Sequence, residues 1–128
     1  MPDPTPAQTQ ATDTLRRFAM RYPEVEETTS CNRAAFRARK KNFFFVGPAA
    51  GAYSAMFRLG PSIDEAVALS ERDPDTYGVG KTGWVTVKFD PEVGPPIETL
   101  ERWLDESFRV LMPKKLLATL PEQGPPEA

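Results

Sequence analysis

The chain has 128 residues, 16 of them Lys or Arg and 18 Asp or Glu, with no histidine and a formal charge of -2. That length fits one domain able to form a core without disulfides or a metal. The one cysteine, Cys31, has no internal disulfide partner, and without an imidazole neither a zinc site nor a histidine-activated Ser or Cys nucleophile is expected.

Residues 1–10 and 121–128 are rich in proline and polar residues and are expected to be disordered tails around a folded unit of residues 11–120. A first helix is predicted from about Thr12 to Tyr22, where Leu15, Phe18, Ala19 and Tyr22 share one face, and Pro23 stops it. Residues 34–38 and 42–46 read as two strands around the turn Arg39-Lys40-Lys41-Asn42, a hairpin with a basic tip. After the break at Gly47-Pro48-Ala49-Ala50-Gly51 a third strand runs from Ala52 to Leu59, with Tyr53, Ala55, Phe57 and Leu59 on one face.

Gly60-Pro61 leads into a second helix, in which Ser62 and Glu65 have capping-box spacing and Ile63, Ala66, Val67 and Ser70 make the inner stripe, ending near Arg72. The next strand has Val85, Val87 and Phe89 inward and Trp84, Thr86 and Lys88 outward. The longest helix spans about Ile97 to Met112 and buries Ile97, Leu100, Leu104, Phe108 and Leu111, with Trp103 beside them; Lys114 to Leu117 add a turn after Pro113. The order α-β-β-β-α-β-α predicts an α+β domain, an antiparallel sheet with helices packed on one face.

The segment Tyr77 to Trp84, YGVGKTGW, ends like a phosphate-binding loop, but the required first glycine is Asp75 and a strand pattern follows in place of a helix. It reads as a Gly-rich turn entering a strand.

Between Glu27 and Asp64 there is no carboxylate, whereas Arg33, Arg37, Arg39, Lys40, Lys41 and Arg58 fall in that window, so a basic surface patch is expected. Arg33, Arg37 and Arg39 share strand parity, and Lys40 and Lys41 sit at the tip, an arrangement suited to phosphates. DNA is therefore one expected partner. The same charges on a solvated hairpin would serve to block edge-to-edge aggregation.

A protein partner or weak homodimer is the other expectation, because the consecutive Phe43, Phe44 and Phe45 must point at least one ring outward unless both faces are covered, and Trp84 and Trp103 would flank that patch. A small-ligand module falls under the same alternative. No enzymatic activity and no cofactor are expected: Tyr22 and Tyr53 are candidate proton donors, but the carboxylates Asp105-Glu106 and Glu26-Glu27 are adjacent pairs, which on a helix point about 100 degrees apart and form no dyad, and Cys31 reads as an inert, partly buried thiol. With no apolar run near 18 residues and no basic-then-apolar leader, the expectation is a soluble, cytoplasmic protein without a membrane partner.

Four stretches, LRRFAMRYPEVEE, FRARKKNFFFVG, YGVGKTGWVTVKFD and LDESFRVLMPKKL, occur in the order in which their counterparts occur in the MmcQ/YjbR-like family, which this sequence resembles from about Leu15 to Leu120. The resemblance implies a small α+β fold of the kind called CyaY-like and compared with the double-wing DNA-binding domain of a phage transcription factor. It places Lys81 and Trp84 at typical positions of the Tyr77–Trp84 turn and so adds Lys81, on the second wing, to the hairpin cations. Many relatives have a Pro-Phe-Gly-like segment before the first strand and a histidine beside the Trp, where this chain has Thr29-Ser30-Cys31-Asn32 and Thr82-Gly83; roles attached to those residues do not transfer.

Overall fold

Burying an apolar stripe from each helix and one face of each strand produces two layers in this chain. The computed structural model describes residues 6–30, 33–49, 52–88, 96–122 and 124–125. Among these the order is α1 (Pro6–Met20), β1 (Glu26–Ser30), β2 (Arg33–Ala38), β3 (Lys41–Ala49), β4 (Ala52–Arg58), α2 (Ile63–Arg72), β5 (Tyr77–Val79), β6 (Trp84–Lys88), α3 (Ile97–Leu111) and α4 (Lys114–Leu117). The strands form one antiparallel sheet in the order β1-β2-β3-β4-β6-β5. α3 lies over β3 and β4, α1 lies beside it, and α2 packs on β5, so the expected α+β architecture holds.

The register sorts the side chains. Phe36, Phe44 and Phe57 stand opposite one another on β2, β3 and β4, with centroid separations of 5.3 Å for both neighbouring pairs, and all three are fully buried. Each such buried ring contributes about 1.5–3 kcal/mol by area removed from water. Ala55, Leu59, Val85 and Val87 extend this layer, and Leu15, Ala19, Leu100, Leu104 and Phe108 close it from the helices. Trp103 is part of this core, fully buried, and its indole N–H donates to Glu65 Oε1 at 2.9 Å.

β3 carries a bulge. Phe36 pairs with Phe44 but Arg37 pairs with Asn42, so Phe43 is the extra residue. The bulge rotates Phe43 onto the helix side beside Phe44, where it meets Phe108 edge-on at 5.1 Å and Tyr22 at 6.4 Å. Phe43 O and Arg58 N lie just past the last β3–β4 pair, Phe44–Phe57, and Ser107 bridges them: the hydroxyl donates to Phe43 O at 2.5 Å and accepts from Arg58 N at 2.8 Å. Ser107 is wholly buried, the polar member of the inner face of α3.

Several expectations are corrected. β1 and β5 are both edge strands. EETTS lacks apolar alternation and YGV is three residues long, so neither is visible without its neighbour. α1 starts at Pro6, where proline suits a first helical position, so residues 6–10 belong to the helix and not to a tail. The capping box at Ser62 and Glu65 does not form. Glu106 of α3 takes over, accepting from Gly60 N and Ser62 N at 2.9 Å each and from Ser62 Oγ at 2.7 Å, while Glu65 turns to Arg102 and Trp103. A carboxylate at the start of α2 also suits the helix dipole. Val67 is exposed instead of lining the inner stripe. Phe89 and Cys31 lie outside the described residues.

Ser107→Ala leaves a buried carbonyl and a buried N–H without partners and is expected to lower unfolding free energy in urea by about 2–4 kcal/mol; a loss below about 0.5 kcal/mol would contradict the bridge. A second expectation concerns pH. Partial burial pushes the Glu65 carboxyl up, but the Trp103 indole and the Arg102 guanidinium outweigh it and hold the group below its ordinary value of 4.5. A carboxyl lowered on folding adds stability that is complete above its unfolded value and is lost as pH falls through the folded one. Melting temperature should therefore fall more steeply below about pH 4.5 in the wild type than in Glu65→Gln, and equal slopes would refute the coupling.

Candidate nucleic-acid interface

β2 and β3 are joined by two residues, Arg39 and Lys40, a tighter turn than the expected Arg39-Lys40-Lys41-Asn42. Arg39 (φ 50) and Lys40 (φ 67) are both left-handed, the condition for a type I′ turn, whose twist matches that of the flanking strands. Asn-Gly is the favoured pair at such a turn, so holding Arg and Lys there costs on the order of 1 kcal/mol each. Lys41 and Asn42 belong to β3, paired with Ala38 and Arg37.

The hairpin cations do not form one continuous patch, because β1 and the turn before it supply carboxylates beside them. Arg37 Nε donates to Glu26 Oε1 at 2.7 Å across the β1–β2 ladder. Arg39 grips Glu24 with two parallel hydrogen bonds of 2.8 and 2.9 Å, and that guanidinium holds the exposed Glu24 carboxyl below its ordinary range. Arg33 lies across Gly47 and points Nη1 at Met56 Sδ, 3.0 Å away. Lys40 and Lys41 are exposed and, among the described residues, have no ion pair. The signal for this neutralisation was the acidic run Glu24 to Glu27 just ahead of the basic hairpin; what was missing was the knowledge that it leads into a strand, β1, paired with β2.

Tyr77 to Trp84 forms a second hairpin. Gly80 N donates to Trp84 O at 2.8 Å and Gly83 N to Gly80 O at 3.3 Å, closing a tight turn that carries exposed Lys81 and enters β6. It is not a phosphate-binding loop followed by a helix. Gly83 has φ 90, and a Cβ there would strike Arg58 Nη1, which donates to Leu59 O at 2.8 Å. The antiparallel register brings this turn and the Arg39-Lys40 turn to the same end of the sheet. Three strand spacings separate them, about 14 Å.

The YjbR family model matches residues 20–110, from the last residue of α1 to the penultimate residue of α3, with all six strands inside the match. The chain belongs to the YjbR family. No curated protein matches it.

In this YjbR chain the other candidate groups are held apart. A groove of about 730 Å³ beside α3 is lined by Phe18, Glu101, Asp105, Glu106 and Arg109 among others. Asp105 accepts from Tyr22 Oη at 2.5 Å and from Arg109 Nε at 3.0 Å, whereas Glu106 points to Gly60 and Ser62. Burial, reinforced by the Asp105 contact, pushes the Tyr22 phenol far above its ordinary value. Glu26 and Glu27 likewise diverge, to Arg37 and to Arg16. No helix of the described residues is long and apolar enough to cross a membrane.

Gly83→Ala is expected to cost about 2–3 kcal/mol, from a strained φ and a displaced Arg58. Combining it with Arg58→Ala removes the collision, so the double variant should be less destabilised than the two single losses added together; strict additivity in urea denaturation would show that the two residues do not conflict.

Proposed function

We propose that this protein binds DNA through its two turns, with Lys40 and Lys41 on one wing and Lys81 on the other contacting backbone phosphates. The observation that carries this reading is the placement of three exposed lysines, without ion pairs among the described residues, at one end of the sheet. Their turns stand about 14 Å apart, close to the roughly 12 Å width of the major groove, so each wing reaches a different side of one groove. The net charge of -2 makes the attraction local, and the Glu24 and Glu26 pairs keep Arg39 and Arg37 in reserve. Those arginines position the turn in the free protein and join the phosphate contacts only by exchanging partners.

Three phosphate contacts predict a slope of about -3 in log K against log[salt]. Fluorescence anisotropy with a labelled duplex should show that slope, and Lys40→Glu, Lys41→Glu and Lys81→Glu together should abolish binding without changing the melting curve. Absence of duplex binding at low salt, or binding indifferent to the triple change, would refute the reading.

A further inference from the structure

The helices cover only one face of the sheet. The register places Arg33, Ala35, Arg37, Phe45, Gly47, Ser54, Met56, Arg58, Trp84, Thr86 and Lys88 on the other. Half-buried Phe45 and Trp84 approach each other across β4, with ring centroids 5.7 Å apart. Cations share the face with the two rings: Arg58 stands directly opposite Trp84 with Nη1 donating to Leu59 O, Lys88 lies two positions beyond Thr86 on the same strand face, and Arg33 reaches Met56. The strand positions of this face include one carboxylate among the described residues, Glu26, and it is already bound to Arg37. Gly78, opposite Thr86, leaves open space at the margin, since an added Cβ there meets nothing within 4 Å. Ser54 Oγ, buried opposite Lys88, has no hydrogen-bond partner among the described residues.

Rings on a sheet face with cations around them present π-faces to bases and positive charge to the backbone that links the bases. Duplex DNA hides its base faces in its own stack; a single strand exposes them. We infer that this open face is a stacking platform for single-stranded nucleic acid, with Trp84 and Phe45 receiving bases and Arg33, Arg58 and Lys88 the phosphates. The inference rests on the nucleic-acid reading above and deepens it: Trp84 begins where the Lys81 turn ends, so a strand held by the wing passes directly onto the rings. The charge balance of the face selects a polyanion over a second copy of this chain, which would bring the same cations against it.

The test compares a short fluorescein-labelled oligothymidylate with a duplex of the same length, by anisotropy at low salt. Trp84→Ala should weaken oligothymidylate binding about 10-fold and change duplex binding less than 2-fold, while Trp84→Phe keeps most of the affinity. Oligothymidylate should also quench tryptophan emission in the wild type and not in Trp84→Phe, where only buried Trp103 remains. Should Trp84→Ala fail to melt cooperatively, Lys88→Glu serves instead, because Lys88 is exposed and has no ion pair among the described residues; it should weaken oligothymidylate binding selectively.

Duplex binding that depends on the three turn lysines, with no loss of oligothymidylate binding in Trp84→Ala, would overturn this inference and leave the proposed function standing. No binding of either probe would remove both. Concentration-dependent self-association abolished by Trp84→Ala, seen in sedimentation without any oligothymidylate binding, would assign the face to a second copy and overturn the inference.

Discussion

One hydroxyl joins the two layers of this fold. Ser107 stands between Phe43 O of β3 and Arg58 N of β4, just past the last pair of their ladder, Phe44–Phe57, and so gives both backbone groups a partner from α3. Without compensation each would carry a desolvation penalty of about 1–3 kcal/mol. With it, Phe43 and Phe44 both face the helices, Phe108 and Tyr22 have a ring to pack on, and α3 is held in one position over β3 and β4. The same bulge bends the hairpin just before its tip, where Arg39 and Lys40 take their left-handed conformations.

Electrostatics divides the cations into two kinds. Arg37 and Arg39 are committed within the fold to Glu26 and Glu24, contacts that are exposed and therefore weak, and more useful for orienting the hairpin than for stabilising it. Lys40 and Lys81 stand out into solvent at the turns with Lys41 beside them at the start of β3, and Arg33, Arg58 and Lys88 lie on the open face of the sheet. A chain whose total charge is slightly negative thus has one positive end and one positive face, with most acids of the described residues on β1 and on the helices.

An antiparallel sheet can present one face to a core and the other to water, and here the difference is written in residue type. Phe36, Phe44 and Phe57 line the covered side; Phe45, Met56 and Trp84 stand among Arg and Lys on the other. The triplet Phe43-Phe44-Phe45 therefore puts two rings in the core and half-buried Phe45 on the other face of the sheet. Trp84 and Trp103, expected on one patch, sit on opposite sides of the sheet.

Periodicity by itself was enough to determine the helix faces of Leu15 to Tyr22 and Leu100 to Phe108, the inward Val85 and Val87 and outward Trp84 and Lys88, and the basic hairpin, because each depends on side chains a few residues apart. Length, the lack of histidine and the failed phosphate-loop spacing were equally local. The edge strands β1 and β5 were decided by pairing with β2 and β6, since their own residues carry no strand signal. Tertiary structure alone could place Glu24 and Glu26 against the hairpin arginines, send Glu106 in place of Glu65 to the start of α2, and bring Lys81 to the same end as Lys40. Each of these contacts joins groups distant in sequence or depends on a strand register, and a register is settled only when the whole apolar face of the sheet is buried at once.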